Sequence, residues 1–263
     1  MKNFSILTYW SQFEEVLRTI ITLQRLTVHH SRLSNIDYLI VIAESLKLRS
    51  KTAVTIVDEV AVNPSLMYHG GTLFGMAVDN PPLKAKRVLA VMVKFLFTML
   101  RIIIRLLPVA ALRGDFQRDV LVEVLSELTQ ADIFGMVIIT DDNSVNVRCY
   151  DFLGRSSNTT WKIDHPLYPK RPLYLLFDSV HLLKCIRNNW ITEKCGQIDF
   201  FAQNSSNIRT AVWNDLKSLY TSERQSLLRL SKLSAADISP EPIQRQNVFF
   251  AWLIFCGETV AAL

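Results

Sequence analysis

Acidic residues recur at one kind of position in this chain, immediately after a short apolar run of strand length. Thr52 to Val57 is followed by Asp58-Glu59, Met136 to Thr140 by Asp141-Asp142, and Leu173 to Phe177 by Asp178. Carboxylates convergent at rigid strand ends are hard oxygen donors of the kind that hold Mg²⁺. Two such ions about 3.5–4 Å apart activate an attacking oxygen and steady a leaving one in phosphoryl transfer. The competing reading is local: Asp is common where a strand gives way to a loop, and it is a good helix N-cap. After Asp178 a helical pattern starts at once. Steps of three from Asp178 reach His181, Lys184 and Arg187, with Asn188 beside them, while Leu182, Leu183, Ile186 and Trp190 fall on the other side. A face rich in donors at the C-terminal end of a strand is where α/β proteins tend to place ligands.

These positions need elements to hold them. Helical spacing predicts helices over Phe13–Leu26, Ser34–Leu48, Asp115–Leu128 and Ser144–Leu153, the last closed by Gly154. Gly70-Gly71 reads as a turn with Thr72–Val78 returning. The long apolar stretch Val88–Leu112 reads as two buried strands, Val88–Phe97 and Met99–Leu107. Residues 156–171 are polar and proline-bearing and read as a loop. Past Gln197 the pattern suggests helices only, including Leu227–Leu233 and Val248–Leu263. Strands first and crossover helices later suit an α/β domain with a mixed sheet.

Three segments resemble the boxes of P-element-type transposases. Asp178-Ser-Val-His181-Leu182-Leu-Lys184-Cys-Ile-Arg187-Asn188-Asn189 is similar to the family's Asp-Pro-Pro-His-Leu-(Leu/Ile)-Lys-x-x-Arg-Asn-Asn signature, with Ser179 and Val180 in place of the prolines. Thr55-Ile-Val-Asp58-Glu59-Val60 looks like the Phe-Asp-Glu-Met box, and Thr140-Asp141-Asp142-Asn-Ser-Val-Asn146 like the (Ser/Cys)-Asp-Gly-Ala-x-x-Asn box. The resemblance implies a ribonuclease-H-like mixed sheet with flanking helices over residues 36–196. It implies the start of a helical GTP-binding insertion domain over 197–263, and leaves 1–35 unassigned. Asp58 and Asp141 then stand at the first two catalytic, Mg²⁺-binding aspartates. Asn146, Asp178, His181, Lys184, Arg187 and Asn188 line the site or hold DNA backbone. Asp142 departs from the family, which has a small residue there. The implied chemistry is Mg²⁺-dependent DNA cleavage and strand transfer at transposon ends in the nucleus, with homo-oligomers and GTP as further family expectations. The family's third acid, a Glu, follows the insertion. The expectation is therefore a chain that does not cleave DNA, with a non-catalytic DNA-binding or protein-interaction remnant as the alternative.

Composition is compatible with this and excludes other classes. Hydrophobic residues make up 49% of the 263 and charged residues 20%, enough for a substantial core and unlike a disordered chain. A net charge of +5 suits a polyanion partner without requiring one. The four cysteines show no Cys-x-x-Cys pair, and no Gly-rich phosphate loop occurs. The third reading, a membrane anchor at Val88–Leu112, is opposed by Lys94, Arg101 and Arg105, each costing about 2.5–3.5 kcal/mol at bilayer depth. His29-His30 and the basic run Lys84-Ala85-Lys86-Arg87 read as solvated, and Glu193 and Glu258 as poor substitutes for a third acid.

Overall fold

The computed structural model describes residues 35–154, 161–192, 196–201 and 208–263. The helix expected over 13–26, the His29-His30 pair and Glu193 lie outside the described residues. Two compact units are formed, one holding the described residues from 35 to 178 and the other those from 179 to 263. The chain passes from one to the other at Asp178–Ser179, earlier than residue 197, where the sequence pattern changes.

In the first unit, helix α1 (Asn35–Ser45) and a 3-10 turn lead into β1 (Thr52–Ala61). A small hairpin follows, β2 (Met67–His69) and β3 (Thr72–Phe74). Its turn residues Gly70 and Gly71 have φ of 57° and 82°, and two consecutive positive φ values are what a type I′ turn needs. The apolar stretch then forms β4 (Arg87–Phe95) and β5 (Arg101–Val109), as its pattern predicts. Helix α2 (Gly114–Gln130), β6 (Phe134–Thr140), α3 (Ser144–Phe152), β7 (Lys162–His165) and β8 (Tyr168–Phe177) complete the unit. The sheet order is β5-β4-β1-β6-β8-β7. β5, β4 and β1 pair antiparallel, β1–β6 and β6–β8 pair parallel, and β7 returns antiparallel on β8. This is a mixed sheet with flanking helices of the ribonuclease-H-like kind.

The core explains the order. β4 is buried from Leu89 through Val93, as expected of an interior strand covered on both faces. Helix α2 presents Gln117, Val120, Leu121, Val124, Leu125 and Leu128 as one buried stripe. Each fully buried Leu or Val contributes about 1.5–3 kcal/mol, so this stripe fixes the helix on the sheet. Arg105 of β5 bonds Glu127 of α2, and Pro108 is tolerated because β5 is an edge strand. No helix among the described residues is long and apolar enough to cross a membrane.

The second unit begins with α4 (Ser179–Ile191), the signature helix. It continues through a hairpin of β9 (Gln197–Phe201) and β10 (Ile208–Val212), then α5 (Trp213–Arg224), the short α6 (Ala235–Ile238), α7 (Val248–Phe255) and α8 (Gly257–Ala262). Trp190 and Trp213 meet edge-on at 5.1 Å and pack with Leu216, Leu233, Leu253 and Ile254.

Four local expectations are corrected. The proline-bearing segment before Leu173 supplies β7 and the first half of β8, because there β8 pairs only with the edge strand β7 and needs donors on one side alone. Past residue 197 the chain is not purely helical: β9 and β10 pair, with Thr210 Oγ1 donating to its cross-strand partner Asp199 at 2.6 Å. Leu227–Leu233 forms no helix, since Glu223 accepts the backbone N–H groups of Leu230 and Ser231 and holds the segment in a loop. Val248–Leu263 breaks at Cys256, whose ψ of 156° is extended.

Candidate functional site

Register decides where the carboxylates stand. β1 and β6 run parallel with Ile56 beside Ile139, so Asp58 and Asp141, each two residues on, share a row. β6 and β8 run parallel with Thr140 beside Phe177, which puts Asp178 one step on from Phe177 in the same row. The Asp178 N–H donates to the Thr140 carbonyl at 2.8 Å and extends that register past the last ladder pair. Neighbouring strands lie about 4.8 Å apart, and in-row side chains of parallel strands point the same way. Asp58 does not end its strand, however. β1 continues to Ala61 on β4 alone, so Asp58 and Glu59 lie where β1 has lost its β6 partner and is half open. Arg87 takes the Glu59 carboxylate at 2.7 Å.

The electrostatics match the row. Burial pushes the Asp58 carboxyl up to about 7; the Glu59 N–H opposes this at 2.8 Å, and the charges of Asp141, Glu59 and Asp178 add to it. A carboxyl that feels three other carboxylates and has lost part of its water is stabilised by a cation. Among the described residues no three His, Cys, Asp or Glu side chains converge as a metal-holding group. The donor chemistry nonetheless fits Mg²⁺, which is commonly held by one or two carboxylates with water and substrate phosphate completing its shell. Asp58 and Asp141, in one row, would supply two such carboxylates.

Asp141 is held from behind. Asn143 caps α3, its Oδ1 accepting the N–H groups of Val145 and Asn146, both at 2.9 Å. That cap places Asn146 in the first turn, where its Nδ2 donates to Asp141 Oδ1. Gln117 of α2 in turn donates its Nε2 to Asn146 Oδ1 at 2.6 Å. Below the row, the buried Tyr150 hydroxyl donates to the Leu176 carbonyl at 2.8 Å and lies 3.2 Å from the Thr140 hydroxyl, tying β6 to β8. Its ring stacks on Phe177 at 5.1 Å.

The remaining expected site residues divide. Asn146 is 5% exposed, so it serves Asp141 and is not a surface contact. Asp178 is 6% exposed. His181, Lys184, Arg187 and Asn188 belong to the second unit. Arg187, expected to line the site or hold DNA backbone, is instead fully buried. Its Nη2 donates to the Arg245 carbonyl at 2.9 Å, and Asn188 Nδ2 reaches the same carbonyl at 3.3 Å. Burial lowers the guanidinium below its ordinary value, with Asp237 opposing the shift. Arg187 is thus an interior tie between α4 and the segment before α7. His181 and Lys184 are half-buried.

Gln117, Tyr150 and Gly114 were not singled out from the sequence. A signal for Gln117 existed: it is a polar residue at a stripe position, three residues after Gly114 and four before Leu121, on the buried face of α2.

No family model matches the chain, and no curated protein matches it. Among solved structures it is similar to the Drosophila P element transposase strand transfer complex, with a TM-score of 0.66 and 16% sequence identity. The match covers 96% of this chain and 65% of that one, so the chain spans just under two thirds of its neighbour's length. At that identity the likeness is one of fold: the chain has a transposase-like, ribonuclease-H-like architecture.

Proposed function

We propose that this chain carries the phosphodiester-processing core of a P-element-like DNA transposase, with Asp58 and Asp141 as its divalent-metal ligands. The observation that carries the reading is the shared row of Asp58 and Asp141 at the parallel-strand end of a transposase-like sheet. When bound there, Mg²⁺ supplies the positive charge that draws a phosphodiester and its attacking oxygen together. The protein's own part is to hold two carboxylates on one rigid edge, to orient Asp141 through Asn146, and to give up the Asp58 proton when a cation binds. His181 and Lys184 are the side chains we assign to DNA backbone, where such residues position without reading sequence. On this reading the chain works on transposon ends in the nucleus and self-associates there. Guanine nucleotide is a ligand of the longer family proteins.

A second reading, a DNA-binding remnant without chemistry, is favoured by one observation: no third side chain joins the pair among the described residues. Fluorescence anisotropy with a nicked DNA duplex separates the two. The first predicts salt-sensitive binding that tightens with Mg²⁺ in the natural chain and not in Asp58→Asn or Asp141→Asn; the second predicts binding indifferent to both substitutions. Absence of DNA binding would defeat both. The two-carboxylate site alone is predicted not to nick DNA. Mg²⁺-dependent nicking that is lost in Asp58→Ala would show the site to be complete.

A further inference from the structure

Asp141 is a short side chain with two rotatable bonds, and a metal ligand has to hold one rotamer and one charge state. Its own strand does not ensure this, because β6 ends at Thr140 and Asp141 is the first residue beyond it. The restraint comes from a directional chain of amides. An ionised carboxylate only accepts hydrogen bonds, so Asn146 must present its NH₂ group to Asp141 Oδ1. A carboxamide that turns its NH₂ one way turns its oxygen the other way. Asn146 Oδ1 therefore needs a donor behind it, and it finds the Gln117 Nε2 at 2.6 Å. Gln117 is fully buried and Asn146 nearly so, so no water competes for either amide. The Asn143 N–H adds a longer contact to the same Asp141 Oδ1 at 3.3 Å.

The helix crossing is shaped to allow this. Gly114 and Gln117 lie one turn apart on α2, facing α3. A Cβ on Gly114 would lie 2.9 Å from the Arg148 Cβ, 2.9 Å from the Cys149 nitrogen and 3.0 Å from the Val145 carbonyl oxygen. Only a glycine lets the helices approach this closely, and Val145 adjoins the residue that Gln117 bonds.

We infer that Gln117 is a positioning residue of the site: through Asn146 it fixes which oxygen of Asp141 is occupied and which is left for a metal ion. Oδ1 accepts from both Asn146 and Asn143, which reserves Oδ2 for the ion on this inference. This rests on the metal-binding reading of Asp58 and Asp141, and the test separates the failure of one from the failure of the other.

The probe is Mn²⁺ alone, titrated into the full chain and followed by the loss of its free electron-paramagnetic signal. Thermal melting checks that each variant is folded. Asp141→Asn tests the site itself and is expected to abolish binding; unchanged binding in this variant would overturn the metal site and the relay together. Gln117→Glu keeps the shape but, when ionised, faces Asn146 Oδ1 with an acceptor and forces the amide to turn over. Gln117→Met keeps most of the volume and removes the donor. Outer partners of metal ligands are worth about 10- to 100-fold in affinity, and a loss in that range is expected for Gln117→Glu, with a smaller loss for Gln117→Met. Wild-type Mn²⁺ affinity in both folded variants, alongside loss in Asp141→Asn, would overturn the relay and leave the metal site standing. Should both Gln117 variants unfold, asparagine-selective ¹⁵N labelling of the natural chain decides. The Asn146 NH₂ protons are expected to exchange slowly and to shift in Asp141→Asn, and an Asn146 amide in free rotation would contradict the relay.

Discussion

A carboxyl whose folded form prefers to keep its proton makes folding depend on pH in a defined direction. Burial, and then the neighbouring carboxylates, push Asp58 up to about 7. Between the ordinary aspartate value of about 3.9 and that level the folded chain binds more protons than the unfolded one, so this residue's contribution falls as pH rises and levels off above about 7. Asp58→Asn removes the liability. In chelator, we expect denaturant unfolding to show the variant about 1–3 kcal/mol more stable than the natural chain at pH 8 and indistinguishable from it near pH 4. Equal stability at both values would mean that burial and the neighbouring carboxylates do not raise Asp58. At this scale the sequence was legible for the acids themselves, because each follows a short apolar run. It was not legible for their supports. Tyr150 and Gln117 act across elements, and only the register and the α2–α3 crossing reveal what they touch. Arg187 shows the converse: a steps-of-three pattern puts it on a face with His181 and Lys184, yet which face of α4 the second unit covers is a tertiary matter.

The elements that could be read were those with strong periodicity and a single environment. β4 and β5 follow from an apolar run, and α2 from its stripe. The misread ones combine local signals with a tertiary exemption. Pro169 and Pro172 argue against a strand, yet β8 tolerates them where it pairs on one side only. Ile208-Arg209-Thr210-Ala211-Val212 is short enough to pass for a helix start, and its partner strand decides otherwise. The α2–α3 crossing gives a direct test of element packing. Gly114→Ala places a methyl group against the Arg148 Cβ and the Cys149 backbone, both at 2.9 Å. Overpacking of this kind costs about 1–3 kcal/mol, more than alanine gains as a helix former at the first position of α2. A lowered melting temperature is the expected result, together with weakened Mn²⁺ binding as the Gln117–Asn146 contact opens. An unchanged or raised melting temperature would show that the helices have room to part.

For the whole molecule, the fold class was readable because strands followed by alternating helices and strands suit a mixed sheet with flanking helices, while the strand order β5-β4-β1-β6-β8-β7 came from the structure. The alignment of Asp58, Asp141 and Asp178 along one row is a property of that topology, and spacing along the sequence could not have supplied it. The central claim is that Asp58 and Asp141, remote in sequence, hold one divalent ion. Fe²⁺ substituted for Mg²⁺, with ascorbate and peroxide, cuts a polypeptide backbone close to where the ion is held, and peptide mapping locates the cuts. We predict two clusters of cleavage, around residues 58 and 141, both suppressed by excess Mg²⁺ and both absent in folded Asp141→Asn. Cleavage elsewhere in the chain, or at only one of the two segments, would contradict the account.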